Sequence, residues 1–144
     1  MENVWWGSNS SPLQALLDML NLDITVKDME LSADARMDWL GDGKQAALEA
    51  LICPTSYNKF YSHFEGDVNA ILDLEGYAVG IDETIGKGHL VALSLPTAIL
   101  TKTVGGSEAV RKLAEYTCKY SEYKYDSTSL MWSKRGNVVS AYSI

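Results

Sequence analysis

The chain has 144 residues, of which 47% are hydrophobic and 22% are charged, and its formal net charge is −7. A chain of this length can bury enough surface to fold as one domain without disulfides or metal ions, and its hydrophobic content argues against disorder. No apolar run approaches the roughly 20 residues of a membrane span, the first residues do not resemble a signal peptide, and two cysteines are too few for a secreted disulfide framework. We therefore expect a cytoplasmic protein with reduced thiols and no membrane association.

The charges are unevenly distributed along the chain. Residues 1–83 contain 15 acidic and 4 basic side chains, whereas residues 84–144 contain 4 acidic and 8 basic ones. An acidic surface repels phosphates, so we expect no direct nucleic-acid ligand and favour a basic protein partner. The alternative is that scattered carboxylates simply keep the protein soluble.

The N-terminal region divides into a short polar segment and a helix. Residues 1–10 are expected to be a flexible N-terminal segment, in which Trp5 and Trp6 are candidate contacts with the domain itself or with a partner. Ser11 and Pro12 form a typical helix start, with serine as the N-cap and proline at the first helical position. The leucines that follow at helical spacing predict a stripe facing a core or a partner: Leu13, Leu16, Leu17 and Leu20.

The next forty residues mix helical and extended signals. Alternating apolar residues in 22–27 predict a short strand. Residues 32–40, which begin with a serine N-cap, and residues 44–52, which are rich in alanine and leucine, predict two helices. The aromatic segment 55–64 fits neither period, so we expect a loop or one irregular helical turn there.

The centre of the chain is dominated by alternating apolar residues. Segments 67–74, 77–81 and 89–95 alternate with period two, and Glu75-Gly76 permits a tight turn between the first two. Residues 98–104 are expected to be a fourth strand or a bent continuation of the third.

A helix over 107–120 and a hairpin over 130–144 follow. We therefore predict a single α+β domain over residues 11–144. Its antiparallel sheet of four to six strands, a meander plus the C-terminal hairpin, has helices packed on one face.

Few residues show a catalytic pattern. A cysteine nucleophile at Cys53, activated by His89 and oriented by Asp126 or Asn137, would be a small papain-like cysteine hydrolase, which is the alternative function. The spacing of histidines and cysteines fits no metal site. The glycines of segment 80–88 depart from a phosphate-binding loop, so that segment is interpreted as a hairpin loop. No cofactor is expected.

Four carboxylates cluster near the ends of the first central hairpin: Asp73, Glu75, Asp82 and Glu83. They either form a binding surface for a basic partner or are a solvated strand edge that discourages aggregation. Because catalytic patterns are scarce while acidic and aromatic residues are plentiful, we expect a non-enzymatic acidic protein-binding module such as an adaptor, inhibitor or chaperone-like factor. Aromatic side chains commonly anchor interfaces, which favours Trp5 and Trp6 as further contacts.

The order of elements around residues 72–82 and the closing hairpin at Leu130-Met131-Trp132 resembles the small acidic chaperones of type III secretion effectors. That resemblance implies a cytosolic, non-enzymatic homodimer that binds extended segments of another protein. The sequence departs from the pattern because it places two further predicted helices before the sheet and has no helix after the hairpin. A viral or bacterial accessory protein, such as an inhibitor or an assembly factor, fits the sequence equally well.

Overall fold

The computed structural model describes residues 11–52, 60–96, 100, 104–120, 130–135 and 138–143, which form two helices and nine strands. The helices are α1 (Pro12–Met19) and α2 (Val104–Cys118). The strands are β1 (Ile24–Glu30), β2 (Ala35–Trp39), β3 (Ala46–Ile52), β4 (Phe60–Gly66), β5 (Ala70–Leu74), β6 (Tyr77–Ile85), β7 (Gly88–Leu93), β8 (Leu130–Arg135) and β9 (Val138–Ser143).

Seven of these strands form one antiparallel sheet in the order β1-β4-β6-β5-β2-β3, with β7 paired to β6. Strand β6 joins the parts of the sheet, because it pairs with β5 on one side and with both β4 and β7 on the other. Strands β8 and β9 pair with each other in a separate two-stranded sheet. The predicted α+β class and the antiparallel pairing are confirmed, but the main sheet has more than the predicted four to six strands. The C-terminal hairpin forms, but it was predicted to belong to the same sheet and instead stands as a sheet of its own.

The additional strands come from segments that were predicted as helix or loop. Residues 32–40 and 44–52 are not helices, because they contain β2 and β3, and the second half of the aromatic segment forms β4. In β2, Ala35, Met37 and Trp39 are buried while Arg36 and Asp38 face outward, which is the period of a strand. The alanines and leucines of β3 favour a helix locally, but pairing with β2 overrides that preference. The predicted strand or continuation over 98–104 lies mostly outside the described residues, and α2 begins at its last residue.

Helix α1 begins as predicted and packs on the sheet. The Ser11 hydroxyl accepts a hydrogen bond from the backbone N–H of Gln14 at 3.1 Å, which is an N-cap. Leu13 and Leu17 are fully buried in a cluster with four sheet residues, Ile24, Phe64, Ile81 and Ala92. The Gln14 carboxamide donates to the Ile24 carbonyl at 3.1 Å and accepts from the Val26 N–H at 2.7 Å. It therefore satisfies backbone groups on the outer side of edge strand β1.

Helix α2 covers the larger core cluster, which includes Met37, Trp39, Leu72, Leu74, Val79, Ala109 and Tyr116. At β6 the two helices contact adjacent residues, since Ile81 belongs to the cluster under α1 and Asp82 bonds to side chains from the end of α2. Adjacent strand residues point to opposite sides. The helices therefore lie on opposite sides of β6, and the expectation that they share one face is not met there. Neither described helix has the length and apolar character needed to cross a membrane.

Candidate functional site

The centre of the candidate site is a buried carboxylate on β6. Asp82 is 4% exposed, and aspartate is rarely buried so deeply without partners. Its Oδ2 accepts hydrogen bonds from the hydroxyls of Tyr116, at 2.5 Å, and of Tyr120. Its Oδ1 lies 3.0 Å from Nδ1 of His89. Asp82 is therefore held by three side chains from two other parts of the chain.

Two local regularities bring these four side chains together. Asp82 pairs with Val91 and Thr84 pairs with His89 across the β6–β7 ladder, so Asp82 and His89 are diagonal neighbours on one face. Tyr116 and Tyr120 are four residues apart at the C-terminal end of α2, and this spacing places both on one side of a helical turn. The four side chains therefore converge where the C-terminal end of α2 meets the start of β7.

Electrostatics keeps Asp82 ionised. Burial disfavours the charged carboxylate, but the hydrogen bonds from Tyr116, Tyr120 and His89 outweigh burial and lower the pKa of Asp82 below its ordinary value. Burial, followed by the bond to the Asp82 carboxylate, raises the pKa of Tyr116, so that phenol stays protonated and donates. Because ionised Asp82 can only accept, Nδ1 of His89 carries the proton. Nε2, on the far edge of the ring, then points away from Asp82.

The ring of His89 lines a cavity of about 580 Å³ between the start of β7 and the end of α2. We call it the β7–α2 pocket, and its lining residues are Lys87, Gly88, His89, Leu90, Val91, Thr117 and Tyr120. The imidazole stacks on Tyr120 with 3.7 Å between ring centroids and 16° between planes, which fixes its orientation. Lys119 lies beside the pocket, with Nζ 3.4 Å from the ring centroid of Tyr116 and 4.7 Å from that of Tyr120.

A second concave surface lies on the outer side of β2 and β5. We call it the acidic groove, and it is a cavity of about 450 Å³ lined by Arg36, Asp38, Leu40, Gln45, Asp73, Glu75 and Gly76. The predicted turn is present, since Glu75 and Gly76 have φ of 51° and 86°, as a two-residue hairpin loop requires. The Glu75 carboxylate accepts from the backbone N–H of Arg36 at 2.8 Å, which ties the turn to β2.

Two carboxylates face each other in the acidic groove. Asp38 and Asp73 are directly paired across β2 and β5. Burial raises the pKa of Asp73 above its ordinary value, and the charges of Asp38 and Glu75 raise it further. The hydrogen bond from the N–H of Gly76 acts in the opposite direction but is outweighed. The ionised form of Asp73 is therefore disfavoured in the folded protein.

The structure separates the four carboxylates that the sequence groups together. Asp73 and Glu75 lie in the acidic groove with Asp38, whereas Asp82 is enclosed beneath the β7–α2 pocket. Glu83 is the next residue of β6 and accepts a hydrogen bond from the backbone N–H of Asn69 at 2.7 Å. These carboxylates therefore belong to different surroundings.

The remaining predicted residues can be placed only in part. Trp5, Trp6, Cys53 and Asp126 lie outside the described residues, as does Asn137. Among the described side chains, the carboxylate that bonds to His89 is Asp82, which the sequence had grouped with the acidic cluster.

Sequence reasoning missed Asp38, which it placed in a helix, and both tyrosines that hold Asp82. Tyr116 and Tyr120 carried a detectable signal, since they fall four residues apart in a segment predicted to be helical. Within the described ranges, no group of three or more histidine, cysteine, aspartate or glutamate side chains is arranged to hold a metal ion.

No protein-family model matches the chain, and no curated protein or solved structure matches it. The function is therefore argued from the acidic groove and the β7–α2 pocket.

Proposed function

We propose that the protein is a non-enzymatic protein-binding module that holds a basic segment of a protein partner in the acidic groove. The observation that carries the proposal is the direct pairing of Asp38 with Asp73 across β2 and β5. Like charges placed opposite each other destabilise a sheet, typically by about 0.2–1 kcal/mol. A lysine or arginine side chain between them would turn that repulsion into two attractions.

The charge balance of the acidic groove supports a basic ligand. Asp38, Asp73 and Glu75 supply three carboxylates, and Arg36 supplies one cation. In the described part of the chain, no ion pair joins Arg36 to Asp38 or Asp73, and the Arg36 side chain is exposed. The Asp38 carboxylate is instead bonded by the Gln45 amide at 2.7 Å, and an amide leaves its negative charge in place.

The raised pKa of Asp73 points to the same partner chemistry. Burial and the neighbouring carboxylates disfavour the charged form, so a cation that binds next to Asp73 stabilises that form and gains affinity from it. Charge complementarity of this kind mainly sets specificity and association rate, and added salt weakens it. Trp5 and Trp6 stay predicted as further contacts with a partner.

The test compares two variants that each lose two carboxylates. Asp38→Asn with Asp73→Asn empties the groove of its opposed charges. Asp23→Asn with Asp67→Asn is the matched control, because both residues are exposed and flank the Ile24–Gly66 pair at the end of β1 and β4. The probe is a fluorescent decapeptide of alternating arginine and glycine, with a glutamine analogue as the uncharged reference.

We expect the groove variant to weaken peptide binding by about tenfold, equivalent to about 1.4 kcal/mol, and the control to change it less than about twofold. Binding by the unchanged protein should also fall with added salt. Equal losses in both variants would mean that the peptide follows net charge alone, and the groove would then have no special role. The unchanged protein and the two variants can then be used as bait for host proteins at low and high salt. A partner that depends on the groove should bind the unchanged protein and the control variant but not the groove variant.

A further inference from the structure

We propose that the β7–α2 pocket binds a small organic anion, whose carboxylate or phosphate group is held by Nε2 of His89 and the ammonium group of Lys87. This site shares no lining residue with the acidic groove and does not depend on the function proposed for it. Its size is typical of small-molecule sites, which usually measure about 300–1,000 Å³.

The charge of the pocket favours an anion. Among the residues that the structure describes, its lining contains Lys87 and His89 but no carboxylate, in a chain whose net charge is −7. Lys119 adds a further cation at the rim, over the rings of Tyr116 and Tyr120. The carbonyl end of α2 contributes a partial negative charge of about half a unit, which is smaller than the two full lysine charges.

The ring of His89 is held in one orientation, because two other side chains contact it from different directions. Asp82, whose side chain is 3% exposed, holds Nδ1, and Tyr120 stacks on the face of the ring. The side chain of His89 itself is 28% exposed, so its far edge is accessible. A carboxylate that orients an imidazole through one nitrogen leaves the other nitrogen for a ligand.

The remaining walls define the body of the ligand. Val91 and the ring of Tyr120 supply apolar surface, and the Thr117 hydroxyl donates to the carbonyl of Ala114 at 2.8 Å. A ligand with an aromatic or short aliphatic body and one anionic group matches this combination. Benzoate and phenyl phosphate are therefore suitable probes, and phenol is the uncharged reference.

An anion held at Nε2 of His89 pairs with the imidazolium form of the ring. With Asp82 bonded to Nδ1–H, the neutral ring presents a lone pair at Nε2, and only the imidazolium donates a hydrogen bond there. The charged and titratable groups around the ring are Asp82 from β6, Tyr116 and Tyr120 from the end of α2, and Lys87 and Lys119 at the pocket.

The experiment follows the histidine ring signals of the full chain by NMR. The chain has two histidines, and His63 is an internal control, since its ring is buried in β4 against Tyr77 with 4.8 Å between centroids. We expect saturable shifts of the His89 signals with benzoate or phenyl phosphate at about 10 mM, where a Kd near 1 mM would give near saturation. The His63 signals should not move.

Two lysine variants test the assigned contact. Lys87→Met should weaken binding about fivefold, while Lys44→Met, an exposed lysine on a different turn, should leave it unchanged.

The probes also distinguish the source of the anion. Binding of phenyl phosphate alone assigns the pocket to phosphate monoesters, and binding of benzoate alone assigns it to carboxylates. The proposal is overturned if phenol shifts the His89 signals as strongly as either anion, if neither anion shifts them, or if the two lysine variants behave alike.

Discussion

Replacing Asp82 by asparagine tests whether one buried carboxylate fastens the end of α2 to the sheet. The amide has nearly the same shape but no charge, so it removes the charge-assisted part of three hydrogen bonds, from Tyr116, Tyr120 and His89. A bond to a charged group contributes about 1.5–3 kcal/mol and a neutral bond about 0.5–1.5 kcal/mol. The difference is about 1 kcal/mol per bond, and therefore about 3 kcal/mol over the three bonds.

We therefore expect Asp82→Asn to lower the free energy of unfolding at pH 7 by about 2–4 kcal/mol. For a chain of this length the midpoint of thermal unfolding should fall by roughly 6–12 °C. Urea denaturation followed by circular dichroism measures the free energy, with Asp67→Asn as the control. Asp67 is exposed, so its substitution should change stability by less than about 0.5 kcal/mol.

The pH dependence separates the charge from the shape of the side chain. The pKa of Asp82 is lower in the folded protein than its ordinary value of 3.8, so the unfolded chain takes up the proton first as the pH falls. The stabilisation is complete above that ordinary value and is lost as the pH falls through the folded pKa. Asp82→Asn lacks it at every pH, so the stability difference between the two proteins should narrow as the pH falls below 3.8 and close below the folded pKa. Equal stabilities at pH 7, or a gap that persists into acid, would refute the reasoning.

Three further substitutions test the packing, the backbone and the acidic groove. Leu17→Ala should cost about 2–5 kcal/mol because Leu17 is fully buried under α1, and a smaller loss from the partly buried Leu16→Ala is the comparison in urea denaturation. Gly66→Ala should reduce stability by more than Gly43→Ala in the same assay, because both have positive φ but only the Cβ at residue 66 would meet a backbone oxygen, at 2.6 Å. Asp73→Asn should stabilise the protein by up to about 1 kcal/mol at pH 7, since the folded state raises the pKa of Asp73, and that gain should vanish as the pH falls below the ordinary value of 3.8. A loss of stability in Asp73→Asn at pH 7 would contradict the repulsion assigned to Asp38 and Asp73.

Parts of the fold with strong local signals could be predicted from the sequence. The N-cap at Ser11 and the leucines at helical spacing identified α1, and the turn at Glu75-Gly76 identified the β5–β6 hairpin. Strands β2 and β3 could not be recognised because their composition favours a helix, and a seven-residue segment supplies too few positions to distinguish the two periods. Their pairing across the sheet decides the outcome, and pairing partners are not encoded locally.

The same limit explains the candidate sites. Asp82 and His89 were both selected from the sequence, but for separate reasons and in separate groups, because their proximity depends on the register of β6 with β7. The acidic groove could be predicted only if Asp38 was recognised as a strand residue opposite Asp73, whereas the sequence pattern predicted a helix there. Residue types thus indicated which side chains could matter, while register determined which of them meet.

The net charge of the chain does not by itself predict the charge of its partners, because the charges are arranged in separate sites. The acidic first part of the chain supplies the acidic groove, and it also supplies Asp82, whose charge is used internally to orient His89. The residues after 84 then place Lys87 and His89 around a pocket whose described lining residues include no carboxylate. A protein with a net charge of −7 can therefore offer one surface to cations and another to anions. The two sites predict opposite responses to charge reversal, since Asp73→Lys should abolish peptide binding and leave benzoate binding unchanged, and Lys87→Glu should do the reverse. Loss of both activities in either variant would show that the two surfaces are not independent.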